Sequence, residues 1–177
     1  SANAPYGTRE MDEIRALAMG AAQKLIDLGV KALVIACNTA TSAAAQALRE
    51  RLCIPVVGME PALKPAALSL HGGRALVLAT PATLKQEKFQ HLYRQYGENA
   101  VVCPCPGLMD FAERMELDSP ALDGYLSELF APYAGEAIDA AVLGCTHYVF
   151  LKRAIARHLP GVPLIDGNEG TARQLAR

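Results

Sequence analysis

Residues 33–39 read Leu33-Val34-Ile35-Ala36-Cys37-Asn38-Thr39, and residues 141–147 read Ala141-Val142-Leu143-Gly144-Cys145-Thr146-His147. Each stretch is an apolar run that ends in a small residue, a cysteine and polar groups. Unbroken apolar runs of this length are typical of strands buried on both faces of a parallel sheet. Each is followed by a helical pattern and then by a short strand pattern carrying proline, Ile54-Pro55-Val56-Val57 and Val162-Pro163-Leu164-Ile165. Cys37 and Cys145 are 108 residues apart, and so are Pro55 and Pro163. Two pairs sharing one offset make duplication of a βαβ unit a better reading than chance.

Working outward, helical and strand patterns alternate along the chain. Residues 9–27 read as a helix with Ile14, Leu17, Ala18, Ala21, Leu25 and Ile26 on one face, stopped by Gly29. Strand 32–36, helix 41–52 and strand 54–57 follow. Glu60-Pro61 and Pro65 break or start the next helical stretch. After a turn at His71-Gly72-Gly73 come strand 75–79, helix 83–96 and strand 100–103. Helical patterns at 107–115 and 121–130 lead to strand 140–143, helix 148–158, strand 162–165 and a helix from Glu169. This alternation predicts an α/β fold of two similar lobes, with parallel sheets flanked by helices. The repeat predicts a pseudo-two-fold relation with an active site in the cleft between the lobes. The expected boundaries are 1–58 plus 165–177 for the first lobe and 59–164 for the second.

Composition narrows the class. Of 177 residues, 51% are hydrophobic, 20% charged and 6% aromatic, which is globular rather than disordered. The net charge is -1 and no basic block stands out, so a phosphate-tracking nucleic-acid binder is not expected. No apolar stretch approaches the roughly 20 residues that cross a bilayer. The opening Ser-Ala-Asn-Ala-Pro-Tyr-Gly carries no export pattern. Five cysteines without such a pattern suit reduced thiols in a cytoplasmic protein. Oligomeric state is not legible, and a homodimer stays open.

Cys37 and Cys145 both fall at the carboxyl end of a buried strand, the edge where open α/β sheets bind ligands. A helix start just beyond offers N–H groups and a positive dipole end, which suit a substrate carboxylate and favour a thiolate. Two thiols facing one cleft could form a disulfide or hold a metal, although no second ligand pair stands at zinc-like spacing. The third option is proton transfer on both faces of one carbon, which inverts a stereocentre.

The motifs Ala36-Cys37-Asn38-Thr39-Ala40 and Gly144-Cys145-Thr146-His147-Tyr148 resemble those of the cofactor-independent glutamate racemases. Pro5-Tyr6-Gly7, the pair Thr80 and Thr83, and Ile165-Asp166-Gly167 are similar to further motifs of that family, so the resemblance covers nearly the whole chain. The related aspartate racemases tend to have His and Glu where this chain has Thr41 and His147, which favours glutamate as substrate. The resemblance implies that Cys37 and Cys145 are the acid/base thiols and that His147 holds or relays the proton of Cys145. Glu113 falls near a position where the family often has an acidic residue. Asn38, Thr39 and Thr146 would bind the α-carboxylate and amino group, with Pro5, Tyr6, Gly7, Thr80 and Thr83 completing the pocket. The family begins with a strand and an Asp-Ser-Gly turn, which are not found before Pro5. A missing first βα unit is therefore expected, and the 177 residues alone are not expected to be active. The family role is supply of D-glutamate for peptidoglycan.

No cofactor is expected. Pyridoxal phosphate is the usual electron sink for such a carbanion, but no lysine is placed for it. Lys31 precedes a strand, and Lys24, Lys64, Lys85, Lys88 and Lys152 lie in helical patterns. Cys53 reads as core, and Cys103 and Cys105 as structural rather than metal-binding. His71, His91 and His158 read as surface residues, and Lys152, Arg153 and Arg157 as a solvated helix face.

Overall fold

A computed structural model describes Tyr6 and residues 9–177. In chain order its elements are α1 (Met11–Asp27), β1 (Leu33–Ile35), α2 (Asn38–Arg51), β2 (Val56–Gly58), α3 (Leu63–Leu68), β3 (Arg74–Ala79), α4 (Pro81–Lys85), α5 (Glu87–Tyr96), β4 (Ala100–Pro104), α6 (Leu108–Glu113), α7 (Pro120–Phe130), β5 (Ile138–Leu143), α8 (Lys152–His158), β6 (Leu164–Ile165) and α9 (Asn168–Leu175). Short 3-10 turns at Ala131–Tyr133 and Thr146–Val149 precede β5 and α8. The chain divides into two units. One holds the described residues up to Glu60 together with Gly167–Arg177, and the other is Pro61–Asp166.

In the first unit β1 and β2 pair in parallel, Leu33 opposite Val56 and Ile35 opposite Gly58. Helix α2 is rich in alanine, so its flank lies close to its neighbours. Ala40, Ala43, Ala44, Ala45 and Leu48 are buried with Ile14 and Ala22 of α1 and with Leu33, Ile35 and Val56. The buried stripe on α1 is Ile14 and Ala22, with Ala18 and Met19 partly covered. The expected face included Ala21 and Leu25, which are exposed. The i, i+4 row of Ile14, Ala18 and Ala22 packs against the small side chains of α2 instead, a ridge-into-groove arrangement. Leu33 and Ile35 are buried but Val34 is 37% exposed, so among the described residues one face of β1 is covered.

The second unit has a four-stranded parallel sheet in the order β4-β3-β5-β6. Strand β3 is central, and alternate side chains enter different cores, as the two-residue period of a strand requires. Leu76 and Leu78 join Leu108, Leu122, Leu126 and Ile155 of α6, α7 and α8. Ala75 and Val77 join Leu63, Ala66 and Phe89 of α3 and α5. This is the parallel sheet flanked by helices that the sequence predicted. The expected single helix 83–96 is broken at Gln86, whose extended backbone separates α4 from α5.

One irregularity in this sheet has a clear cause. Arg74 faces Ile138 and Ala75 faces Ala140, so Asp139 is an extra residue in β5. Its carboxylate accepts the His71 N–H at 2.6 Å and the Gly73 N–H at 2.8 Å, fixing the turn that enters β3. A Cβ on Gly73 would lie 2.5 Å from the Ala137 carbonyl and 2.6 Å from Asp139 Oδ1, so this turn requires glycine.

The His71 and Gly73 N–H groups hold the Asp139 carboxyl below its ordinary range. A carboxylate depressed by folding stabilises above its unfolded value of about 3.9 and loses that contribution as pH falls through the folded value. Asp139→Ala is therefore expected to lower the urea midpoint at pH 7, with the gap to wild type closing below about pH 4. A gap of equal size at both pH values would show that the charge of Asp139 is not what holds the turn.

Candidate active site

Two cysteines are placed by local backbone geometry. In the first unit Cys37 follows β1 in an extended conformation and is the N-cap of α2. Its Sγ accepts the Ala40 N–H at 3.5 Å, and its carbonyl accepts the Thr41 N–H at 2.9 Å. Helix α2 starts three residues before the expected Thr41, because Cys37 itself supplies the cap. Asn38 and Thr39 consequently occupy the first turn and are buried, 6% and 5% exposed. The thiol thus meets the positive end of a 14-residue helix, where negative charge is favoured. Tyr6 is half-buried against the core of this unit, and its carbonyl accepts the Arg9 N–H. Pro5 and Gly7 lie outside the described residues.

In the second unit Gly144 continues β5 and donates its N–H to the Leu78 carbonyl at 2.7 Å. A Cβ there would lie 2.6 Å from that same carbonyl, so only glycine permits the approach. Cys145 follows at the sheet edge. The expected α-helix at 148–158 begins only at Lys152, and a 3-10 turn at Thr146–Val149 intervenes. Fully buried Tyr148 closes this turn, donating its hydroxyl to the Cys105 carbonyl at 3.3 Å. Burial pushes the Tyr148 phenol well above its usual range, which keeps it a proton donor to that carbonyl. Tyr148 anchors this turn, a role that its place in the motif at 144–148 does not by itself reveal.

The turn aims His147 at two partners. Its Nδ1 is 3.6 Å from Cys145 Sγ, and its Nε2 is 2.5 Å from Glu113 Oε1. An ionised carboxylate only accepts hydrogen bonds, so a neutral imidazole presents Nε2–H to Glu113 and a lone pair to the thiol. Glu113 closes α6, which ends in a Schellman motif with Met115 in the left-handed region at φ 57°. The Met115 N–H bonds the Ala112 carbonyl, and the Glu116 N–H bonds that of Phe111. Cys145, His147 and Glu113 therefore form one hydrogen-bonded line, in which Cys145 is half-buried and the side chains of His147 and Glu113 are 27% and 33% exposed.

The remaining candidates are distributed as follows. Thr80 caps α4 by accepting the Thr83 N–H, and the two hydroxyls lie 3.0 Å apart. Thr146 opens the 3-10 turn beside Cys145. Asp166 pairs with Lys152 at 2.5 Å. Cys53 is exposed rather than core, because β2 starts three residues after it. Cys103 and Cys105 are buried with their sulfurs 4.0 Å apart, and no cluster of three metal-ligating side chains occurs among the described residues. His158 is not a free surface residue: it bonds Asp123 at 2.9 Å, and its ring lies tilted beside Phe130, centroids 6.3 Å apart.

Comparison with known proteins identifies the family. The Asp/Glu/Hydantoin racemase family matches residues 1–175. The glutamate racemase of Clostridium acetobutylicum is 47% identical over 180 residues, covering 100% of this chain and 70% of that protein. The glutamate racemase of Clostridium perfringens strain 13 is 50% identical over 182 residues, with the same coverage. The crystal structure of Escherichia coli glutamate racemase with L-glutamate and the activator UDP-MurNAc-ala superposes with a TM-score of 0.88. It is 29% identical, covering 97% of this chain and 67% of that one. Family match and identity together establish that this chain belongs to the Asp/Glu/Hydantoin racemases.

Proposed function

We propose that the chain carries the machinery of a glutamate racemase, an isomerase that interconverts L- and D-glutamate and supplies the D-isomer for peptidoglycan. The observation that carries the reading is the line from Cys145 through His147 to Glu113, in a chain whose relatives are glutamate racemases. Five free thiols suit a reducing cytoplasm, where this reaction would run.

In the proposed reaction one cysteine thiolate removes the Cα proton of glutamate. The resulting carbanion takes a proton from the thiol of the other cysteine on the opposite face, so the stereocentre inverts and the two sulfurs exchange protonation states. Cys37 is held at the cap of α2, its Sγ accepting the Ala40 N–H. Cys145 passes its proton to His147 Nδ1 or receives it from there, and Glu113 steadies the imidazolium. Asn38, Thr39 and Thr146 supply donors for the carboxylate and hold or orient the amino group, with Tyr6, Thr80 and Thr83 shaping the pocket. The α-proton is a far weaker acid than a thiol. Aimed donors around the substrate carboxylate must therefore stabilise the carbanion.

In D2O without added cofactor, the intact protein is expected to incorporate deuterium at Cα of glutamate and not of aspartate. Cys37→Ser and Cys145→Ser should each lower racemisation by at least about 100-fold, because a hydroxyl is a much poorer acid/base group than a thiol. Racemisation at the wild-type rate in Cys37→Ser would remove the two-thiol reading. Absence of exchange with any amino acid would favour a binding protein on this fold.

Glu113→Gln keeps a hydrogen-bond acceptor near His147 Nε2 but removes the charge. A fall in kcat of about 10- to 100-fold with little change in KM is expected, as befits a partner of the acid/base group. Steady-state kinetics in both directions checks this; an unchanged kcat would leave Glu113 a solvated helix residue.

A further inference from the structure

Thr41 lies at the second turn of α2 and is 1% exposed, on a buried flank with Ala44, Ala45 and Leu48. A hydroxyl in such a place must be satisfied internally. It is satisfied twice, by partners on two different strand ends. Thr41 Oγ1 donates to the Ile35 carbonyl at 3.1 Å and accepts the Met59 N–H at 2.9 Å. Ile35 is the last residue of β1, two before Cys37, and Met59 directly follows β2. The Thr41 N–H, in turn, bonds the Cys37 carbonyl. One residue therefore ties together the chain entering Cys37, the chain leaving it and the neighbouring strand. Its methyl is also enclosed: a Cβ on Gly58 would stand 2.4 Å from Thr41 Cγ2.

We propose that Thr41 is a positioning residue for Cys37, its hydroxyl setting where β1 delivers the thiol. The proposal rests on the racemase reading for its catalytic consequence, but its geometric content is independent of it. A base displaced by about 1 Å loses a large part of its rate, so the tie is expected to register in kcat.

The test uses the intact protein and four variants. Thr41→Val keeps the shape and removes the hydroxyl; it should lower kcat for glutamate by at least about tenfold. Alkylation by iodoacetamide, followed peptide by peptide, should change at Cys37 by about threefold or more while Cys145 keeps its wild-type rate. Thr41→Ser keeps the hydroxyl and should remain close to wild type in both measurements. Gly58→Ala drives a methyl into Thr41 Cγ2 and should reproduce the Thr41→Val defect. Adding Thr41→Ser to Gly58→Ala removes that methyl contact and should restore activity.

Three results would each overturn the proposal. These are a wild-type kcat and Cys37 alkylation rate in Thr41→Val, a parallel change at Cys37 and Cys145 as general loosening would give, and a double variant no better than Gly58→Ala alone. Failure of the wild-type protein to racemise glutamate would refute the racemase reading instead, and the alkylation arm would still decide whether Thr41 positions Cys37.

Discussion

The hydrogen bond from the Gly144 N–H to the Leu78 carbonyl is the last rung between β5 and β3, and the second unit's chemistry hangs from it. Up to that rung the backbone polar groups are spent on the parallel ladder, and the side chains are spent on two hydrophobic cores. Leu76, Val77, Leu78 and Ala79 are all 0% exposed, so the strand has no freedom to slip without burying the wrong face. Beyond the rung the chain turns at once into Cys145 and the 3-10 turn. A side chain at position 144 would push the strands apart and move the thiol. The reactive edge is thus fixed by a core that contributes no chemistry of its own.

The two thiols are served by different physics. Cys37 accepts a backbone N–H at the start of a long helix, so its environment is a fixed dipole built into α2. Cys145 precedes a turn too short to provide such a field and instead has an imidazole backed by a carboxylate. The first arrangement aims a backbone N–H at the sulfur. The second sets an imidazole nitrogen beside it, which in the proposed reaction takes or returns the proton. In the proposed reaction the enantiomers are equal in energy, yet that symmetry places no demand on the acid/base groups to be alike. It demands only that each sulfur be usable in both protonation states. A parallel βαβ arrangement occurs in each unit and supplies a strand end there, and local sequence equips each one differently.

Much of this was legible in the sequence because it depends on local pattern. The apolar runs of β1, β3 and β5 are visible, as are the cysteines beyond the ends of β1 and β5. What was not legible depends on packing or on long separation. Val34 reads as core, yet among the described residues its face of β1 is uncovered. The break at Gln86 interrupts a run whose periodicity is helical throughout. The pattern starts α2 at Thr41, because cysteine is not a customary cap and Asn38 and Thr39 look like loop residues. Tyr148 reads as the start of an α-helix, yet it is fully buried in a 3-10 turn. His147 and Glu113 are 34 residues apart, and no spacing rule joins them; only the resemblance hinted at the pair.

The five cysteines show how the fold sorts one side chain into different roles. Cys103 and Cys105 lie on β4 and just beyond it, facing the core shared by α6, α7 and α8. The Cys105 S–H points toward Cys103 Sγ and the Cys103 carbonyl, and burial adds to this, so the Cys105 thiol is raised far out of the reactive range. A thiol that cannot meet solvent or substrate behaves as a small hydrophobe whatever its intrinsic nucleophilicity. Cys53 is exposed in the link to β2, with no strand end or helix cap to direct it. Only Cys37 and Cys145 are half-buried at the carboxyl ends of parallel strands, each with a hydrogen-bond partner suited to an acid/base sulfur. Exposure alone would select Cys53, and a perturbed thiol alone would select Cys103 and Cys105. The conjunction of partial burial, strand end and directed partner selects the pair that the proposed reaction uses.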